Sequence, residues 1–312
     1  MKIVVLDKDT LGDLDLTKLK KYGEVIEYPF TRYEDTINRS KDADIVLTNK
    51  VVFDKNILDN LPNLKLICVT ATGMNNIDLE YAKKLNISVK NVSGYSTNSV
   101  VQHTFMLALA LIGKLNYYDN YTKSGKWCDS EIFTNLEKEF FEISGKKWGI
   151  IGLGEIGKSV ARVAKVFGAE IFYYSTAKKP HSNEFEHKNL NDLLKECDII
   201  SIHAPLNENT KNLISKDELN LLKDGAVLLN LGRGGIIDED ALAKAIDEKN
   251  LLVGLDVVSS EPINKDNALL KVKKKENLII TPHIAWASKE ARVRLLEGVI
   301  KNIEEFLKNE RK

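Results

Sequence analysis

Three short segments hold residues whose types suit acid–base chemistry on a small acid. Asn230-Leu231-Gly232-Arg233-Gly234-Gly235 carries an arginine, Gly254-Leu255-Asp256-Val257 leads to Glu261-Pro262, and Thr281-Pro282-His283 carries a histidine. A guanidinium can clamp a carboxylate through two parallel hydrogen bonds. A carboxylate at Glu261 can hold the imidazole of His283, which can then give or take a proton. Each segment follows an apolar run that reads as a strand. The polar groups therefore fall just beyond strand carboxyl ends, where open α/β sheets bind ligands. A lone histidine is more often structural and an arginine after a strand is often a surface charge. Three such residues in this order, downstream of a glycine-rich turn, point instead to a reaction centre.

That turn is Gly152-Leu153-Gly154-Glu155-Ile156-Gly157. It follows the apolar run Trp148–Ile151 and opens a helical pattern, the context in which a GxGxxG spacing signals dinucleotide binding. The first glycine permits a tight turn, the second lets the backbone approach a pyrophosphate, and the third lets helix pack closely on strand. Free N–H groups at the helix start then hold the anion.

The next strand, Glu170–Tyr174, should end in a carboxylate if an unphosphorylated ribose is to be held by its 2′-hydroxyl. It ends instead in Ser175-Thr176-Ala177-Lys178-Lys179. Hydroxyls and ammonium groups suit a 2′-phosphate, which favours NADP(H) over NAD(H). The same hydroxyls also suit a plain ribose, and the lysines also suit a solvated surface.

Short β-branched runs alternating with helical patterns must position these residues, the signature of parallel sheets covered by helices. The first series of strands reads Ile3–Leu6, Glu24–Tyr28, Ile45–Thr48, Lys65–Val69 and Ser88–Asn91, with a helix at Leu79–Leu85. A long apolar helix follows over Ser99–Lys123. The second series reads Trp148–Ile151, Glu170–Tyr174, Ile199–His203, Ala226–Asn230, Leu252–Leu255 and Leu278–Thr281, with helices at Ile156–Phe167 and Glu239–Lys249. An amphipathic helix over Ser288–Arg311 closes the chain.

The 312 residues carry 45 Lys+Arg against 45 Asp+Glu, with 43% hydrophobic and 29% charged residues. At roughly 150 residues per domain this suggests two domains, and the composition is that of an ordered globular chain. A zero charge balance gives no global attraction to nucleic acid or anionic lipid. The longest apolar stretch, Phe105–Ile112, falls far short of the ~20 residues a membrane span needs. Three dispersed cysteines, Cys68, Cys128 and Cys197, favour reduced thiols in a cytoplasmic setting and argue against a metal site.

The chain resembles the D-isomer-specific 2-hydroxyacid dehydrogenase family over nearly its whole length. The motifs that carry the resemblance are Gly152–Gly157, His203-Ala204-Pro205-Leu206 with Thr210, Asn230–Gly234 with Asp238, Asp256–Pro262 and Pro282-His283. The resemblance implies two doubly wound parallel-sheet α/β domains with the active site in their cleft. A Rossmann-type nucleotide domain (residues 99–286) is inserted into a flavodoxin-like substrate domain (residues 1–98 and 287–312). It makes Arg233 the residue that binds the substrate carboxylate and polarises the C2 oxygen, His283 the acid/base, and Glu261 its partner. Asp256 is expected near the nicotinamide amide. Backbone N–H groups of Thr72 and Gly73 are expected to hold the substrate carboxylate. Val100, His203, Ala204, Pro205, Thr210, Leu231 and Gly232 are expected to border the cofactor, along with Glu155 and Ile156.

Ile284-Ala285-Trp286-Ala287 after His283, and Gln102 before His103, resemble the glycerate dehydrogenase/hydroxypyruvate reductase branch. Trp286 suits either one wall of a small polar pocket or plain packing. The expected reaction is reduction of hydroxypyruvate to D-glycerate, with glyoxylate as a second substrate. Alternatives are a D-lactate-type 2-keto acid reductase, formate oxidation on the same scaffold, or a nucleotide-sensing corepressor-like protein. The resemblance also implies a homodimer built around the Ser99 helix. Trp127 and Cys128 receive no role.

Overall fold

The computed structural model describes residues 1–177, 179 and 182–309. Lys178, an expected cofactor contact, lies outside the described residues, as does the Arg311 end of the closing helix. The chain divides into two compact units, Met1–Ser96 with Ala287–Lys312, and Thr97–Trp286.

The first unit is a five-stranded parallel sheet. Its strands are β1 (Lys2–Val5), β2 (Glu24–Glu27), β3 (Ile45–Thr48), β4 (Leu66–Val69) and β5 (Ser88–Lys90), in the order β2-β1-β3-β4-β5. β1, β3 and β4 are buried on both faces, which is why they read as unbroken apolar runs. Short helices α1 (Thr36–Ser40), α2 (Lys55–Asp59) and α3 (Leu79–Lys84) connect them. Asp54 and Asp78 cap α2 and α3 by accepting from the backbone N–H of Ile57 and Tyr81. The closing helix, Lys289–Asn309, belongs to this unit. A Cβ on its Gly298 would stand 2.4 Å from Val92 Cγ1, so glycine is what lets the helix lie so close. Arg294 Nε and Asn302 Nδ2 tie it to the carbonyls of Tyr95 and Asn91, each at 2.9 Å.

The second unit opens with a helix that the sequence pattern presents as one piece. It is two, α4 (Thr97–Ile112) and α5 (Leu115–Lys123), parted at Gly113-Lys114. Lys114 is left-handed, with φ of 50°. The seven strands are β6 (Lys147–Ile151), β7 (Glu170–Tyr174), β8 (Glu186–His187), β9 (Ile199–Ile202), β10 (Val227–Asn230), β11 (Leu252–Leu255) and β12 (Leu278–Ile280). β8 is absent from the sequence-based expectation, being a polar two-residue edge strand. All pairings are parallel, in the order β12-β11-β10-β9-β6-β7-β8. This is the doubly wound dinucleotide-binding order with one strand added, and its direction reverses between β6 and β9.

Alternate residues of the central strands feed two cores. Trp148, Ile150, Ile199 and Val227 face α4 and α6 (Glu155–Val166). Ile151, Ile200, Ile202 and Leu228 face the other side, with α7 (Leu190–Glu196), α8 (Lys216–Leu221) and α9 (Glu239–Lys249). Among the described residues no helix is long and apolar enough to cross a membrane.

Candidate active site

At the reversal point, three loops meet backbone to backbone. Gly152, with φ of 90°, ends β6. A Cβ there would stand 2.9 Å from Ala204 N and Cα, and one on Gly232 would stand 2.7 Å from Ala204 O. The Ala204 peptide thus sits between two glycines, and the loops after β6, β9 and β10 form a continuous floor. Gly157 packs α6 onto β6, since its Cβ would fall 2.2 Å from Gly152 O. At Gly154 a Cβ would meet nothing within 4 Å. Gly154 is also the N-cap of α6 and makes no side-chain cap, so the first-turn N–H groups remain for an anion. Glu155 is drawn aside, its Oε1 accepting from Thr97 Oγ1 at 2.9 Å. Ile156 packs beneath, against the core.

His203 supplies a second sign of a missing partner. Ser201 Oγ accepts from Trp148 Nε1 at 2.9 Å and lies 3.1 Å from His203 Nε2, the acceptor for its own proton. The ring proton of His203 then stays on Nδ1, which is buried and has no partner among the described residues. Burial pushes the imidazole down to about 3, so it is neutral. A buried donor without an acceptor is costly, and a bound group offering an acceptor there relieves that cost. The open face at Gly154, the uncapped helix start and the orphan Nδ1 fit a dinucleotide.

At the end of β7, Ser175 is buried, Thr176 is half-buried and Lys179 is exposed. Leu231 and Val100 are buried beside the floor. Pro205 and Thr210 build the neighbouring turn. Thr210 is fully buried, and its hydroxyl donates to Pro205 O at 2.6 Å while accepting from Asn207 N at 2.8 Å.

The residues expected to do acid–base chemistry follow three adjacent strands, β10, β11 and β12. Asn230 shapes the first loop: its Oδ1 accepts from Gly232 N at 3.0 Å and its Nδ2 donates to Arg233 O at 2.9 Å. Arg233, half-buried, donates from Nη1 to Gly232 O at 2.8 Å. Gly234 lies against the next loop, where a Cβ would fall 1.9 Å from Val258 O. From that loop Glu261 Oε2 meets His283 Nδ1 at 2.7 Å. With Nδ1 bound to a carboxylate, Nε2 is the ring atom left to exchange a proton. Trp286 is half-buried a few residues on.

Behind His283 lies a buried network that sequence reasoning missed. Asp256, only 2% exposed, accepts through Oδ1 from Thr281 Oγ1 at 2.6 Å and Ile284 N at 2.9 Å, and through Oδ2 from Ala285 N at 2.8 Å. His103 of α4 approaches from the other side, its Nε2 at 2.9 Å from Thr281 Oγ1 and 3.5 Å from Asp256 Oδ1. It reaches them because Gly254 lets α4 sit close: a Cβ there would lie 3.1 Å from Leu107 Cβ. Burial lowers the His103 pKa from its ordinary value, against the upward pull of Asp256. The histidine just after Gln102 was the available signal, but nothing in the sequence pairs it with Asp256.

Thr72 and Gly73 belong to the first unit, in the loop after β4. Thr72 Oγ1 donates to Val92 O at 3.1 Å and Thr72 O accepts from Asn91 Nδ2 at 2.6 Å. Among the described residues no group of three or more His, Cys, Asp or Glu side chains is placed to hold a metal ion.

The chain is similar to known proteins over most of its length. Residues 105–285 match the family model described as "D-isomer specific 2-hydroxyacid dehydrogenase, NAD binding domain". A hydroxypyruvate reductase of Blautia hydrogenotrophica is 39% identical, covering 99% of this chain and 97% of its own. A solved D-lactate dehydrogenase from Aquifex aeolicus, complexed with NAD and lactic acid, superposes with a TM-score of 0.87 at 28% identity, covering 99% and 96%. An acyclic imino acid reductase, Bsp5, in complex with NADPH and D-Arg, gives 0.87 at 29%, covering 99% and 98%. The chain belongs to the D-isomer specific 2-hydroxyacid dehydrogenase family, whose members are NAD(P)-dependent oxidoreductases.

Proposed function

We propose that this protein reduces hydroxypyruvate to D-glycerate and glyoxylate to glycolate. The observation that carries the acid–base part is the 2.7 Å pairing of Glu261 with His283 Nδ1, one strand away from Arg233. Likeness to the Blautia hydroxypyruvate reductase supports the choice of substrate. A nicotinamide cofactor, when bound, supplies the hydride for C2 of the keto acid or accepts it in the reverse direction. Arg233 binds the acid and faces the C2 oxygen with positive charge as electrons accumulate there, which favours the transition state over the ground state. His283 Nε2 gives that oxygen its proton, and Glu261 fixes the ring. In oxidation the same nitrogen, starting neutral, takes the proton back.

For the cofactor, hydroxyls at Ser175 and Thr176 without a carboxylate support NADP(H). Exposed apolar groups of the second unit, Met106, Leu109, Leu136 and the 89% exposed Phe133, support a homodimer; a monomer by light scattering would remove that reading. Free Cys68, Cys128 and Cys197 support a reducing, cytoplasmic setting, to be checked by localising the tagged protein.

Initial rates on a panel of 2-keto acids, each with NADH and NADPH, test the whole. Hydroxypyruvate should give the highest kcat/KM, with NADPH ahead. A preference for NADH of about tenfold, roughly 1.4 kcal/mol, overturns the cofactor choice, and pyruvate as the best substrate overturns the substrate choice.

A further inference from the structure

We propose that Asp256, Thr281 and His103 form a buried clamp that holds the backbone of His283 in its left-handed conformation, making them positioning residues for the acid/base. This rests on His283 acting as proposed above. His283 has φ of 54°, a region disfavoured for a non-glycine residue that persists only where the surroundings over-determine it.

The surroundings here do so. His283 N donates to both Asp256 O and Thr281 O at 2.9 Å. The next two backbone N–H groups, of Ile284 and Ala285, each end on an oxygen of the Asp256 carboxylate. The Ala285 carbonyl is held from α4, accepting from Ser99 Oγ at 2.6 Å. Thr281, on the near side of His283, gives its hydroxyl proton to Asp256 and so accepts from His103 Nε2–H. Residues on both sides of His283 are thereby fixed to one carboxylate, itself nearly sealed from solvent. Asp256 gives oxygens to the protein's own donors, a positioning role beside the nicotinamide contact that the family resemblance implies. A misplacement of about 1 Å at a reacting group can cost roughly 100-fold in rate, so a clamp on this backbone acts on kcat.

A double-mutant cycle tests the clamp, with cofactor affinity read separately by fluorescence titration. Asp256→Asn cannot accept at both oxygens and should lower kcat about 100-fold; the controls for cofactor affinity are Thr281→Val and His103→Leu, each of which should leave the NADPH Kd within about twofold. His103→Leu and Thr281→Val should each lower kcat about tenfold, and His103→Gln, whose amide can still donate to Thr281, should recover most of that loss. In a His283→Asn background Asp256→Asn should change the residual rate little. Thr281→Val carries the same prediction should Asp256→Asn not fold. Additive losses in the His283→Asn background, with a Kd weakened in step, would show Asp256 acting on the cofactor and overturn the clamp. A fully active His283→Asn enzyme overturns the acid/base reading and the clamp with it. An inactive His283→Asn beside unimpaired Asp256→Asn and Thr281→Val overturns the clamp alone.

Discussion

Asp7 in the first unit and Asp256 in the second are built alike and loaded differently. Both follow a buried strand, β1 and β11, and both are almost fully buried. Each accepts from the threonine that ends or follows the neighbouring strand and from two consecutive backbone N–H groups. For Asp7 these are Thr48 Oγ1 at 3.2 Å and the N–H groups of Asn49 and Lys50, each at 2.8 Å. For Asp256 they are Thr281, Ile284 and Ala285. A parallel sheet leaves its loops with unpaired N–H groups just past the strand ends, and one carboxylate satisfies several of them. The loop held by Asp7 has no left-handed residue, whereas the loop held by Asp256 bends at His283. On the clamp proposed above, the same device serves stability in one unit and positions the proposed acid/base in the other.

The largest effect expected is at the group being held. His283→Asn should lower kcat by about a thousandfold, within the range for loss of general acid–base catalysis, and keep NADPH binding. Wild-type reduction should favour the acid side and oxidation the alkaline side, and the variant should flatten both profiles. Coincident optima in the wild type would count against His283.

Next in size is Asp7→Asn, which should strand buried N–H groups and destabilise by about 1–3 kcal/mol, while kcat changes far less than with Asp256→Asn. Urea unfolding and steady-state rates separate the two. Burial holds the Asp7 carboxyl above its ordinary value despite its hydrogen bonds. The folded state then binds the proton more tightly than the unfolded state, so the wild type loses part of its stability as pH rises through the raised value. The gap between wild type and Asp7→Asn should therefore narrow from acid to neutral pH. A gap that widens would show that the ionised form is the better held.

Smallest is Ser99→Ala, which removes the hydroxyl that holds the Ala285 carbonyl. A two- to fivefold fall in kcat, about 0.4–1 kcal/mol, is expected with no change in thermal midpoint beyond ~2 °C. A loss as large as that from Asp256→Asn would move the centre of the clamp to α4.

The proposed acid–base residues were legible because their types are few and their places, past strand ends, follow from periodicity. Arg233, Glu261 and His283 could be named because each comes soon after an apolar run. The network behind them was not legible. Which donors Asp256 meets depends on the register of β11 with β12 and on how near Gly254 lets α4 come, neither of which leaves a local trace. The break at Lys114 was hidden for a different reason. One glycine is tolerated inside a helix, and lysine gives no warning that it will turn left-handed. Strand β8 takes its place by pairing with β7 at the sheet edge, not by its own propensity.

The peptide of Ala204, pinched between Gly152 and Gly232, has a bearing on how such a protein can be redesigned. With no room for a methyl group on either flank, that spot behaves like a fixed die, and attempts to retune ligand choice there should cost folding before they alter preference. Room to vary lies at the margins, at Thr176 beyond β7 and at Ile284 and Trp286 beyond the histidine, where side chains are partly open to water. New cofactor or substrate tastes are best sought by libraries confined to those rims.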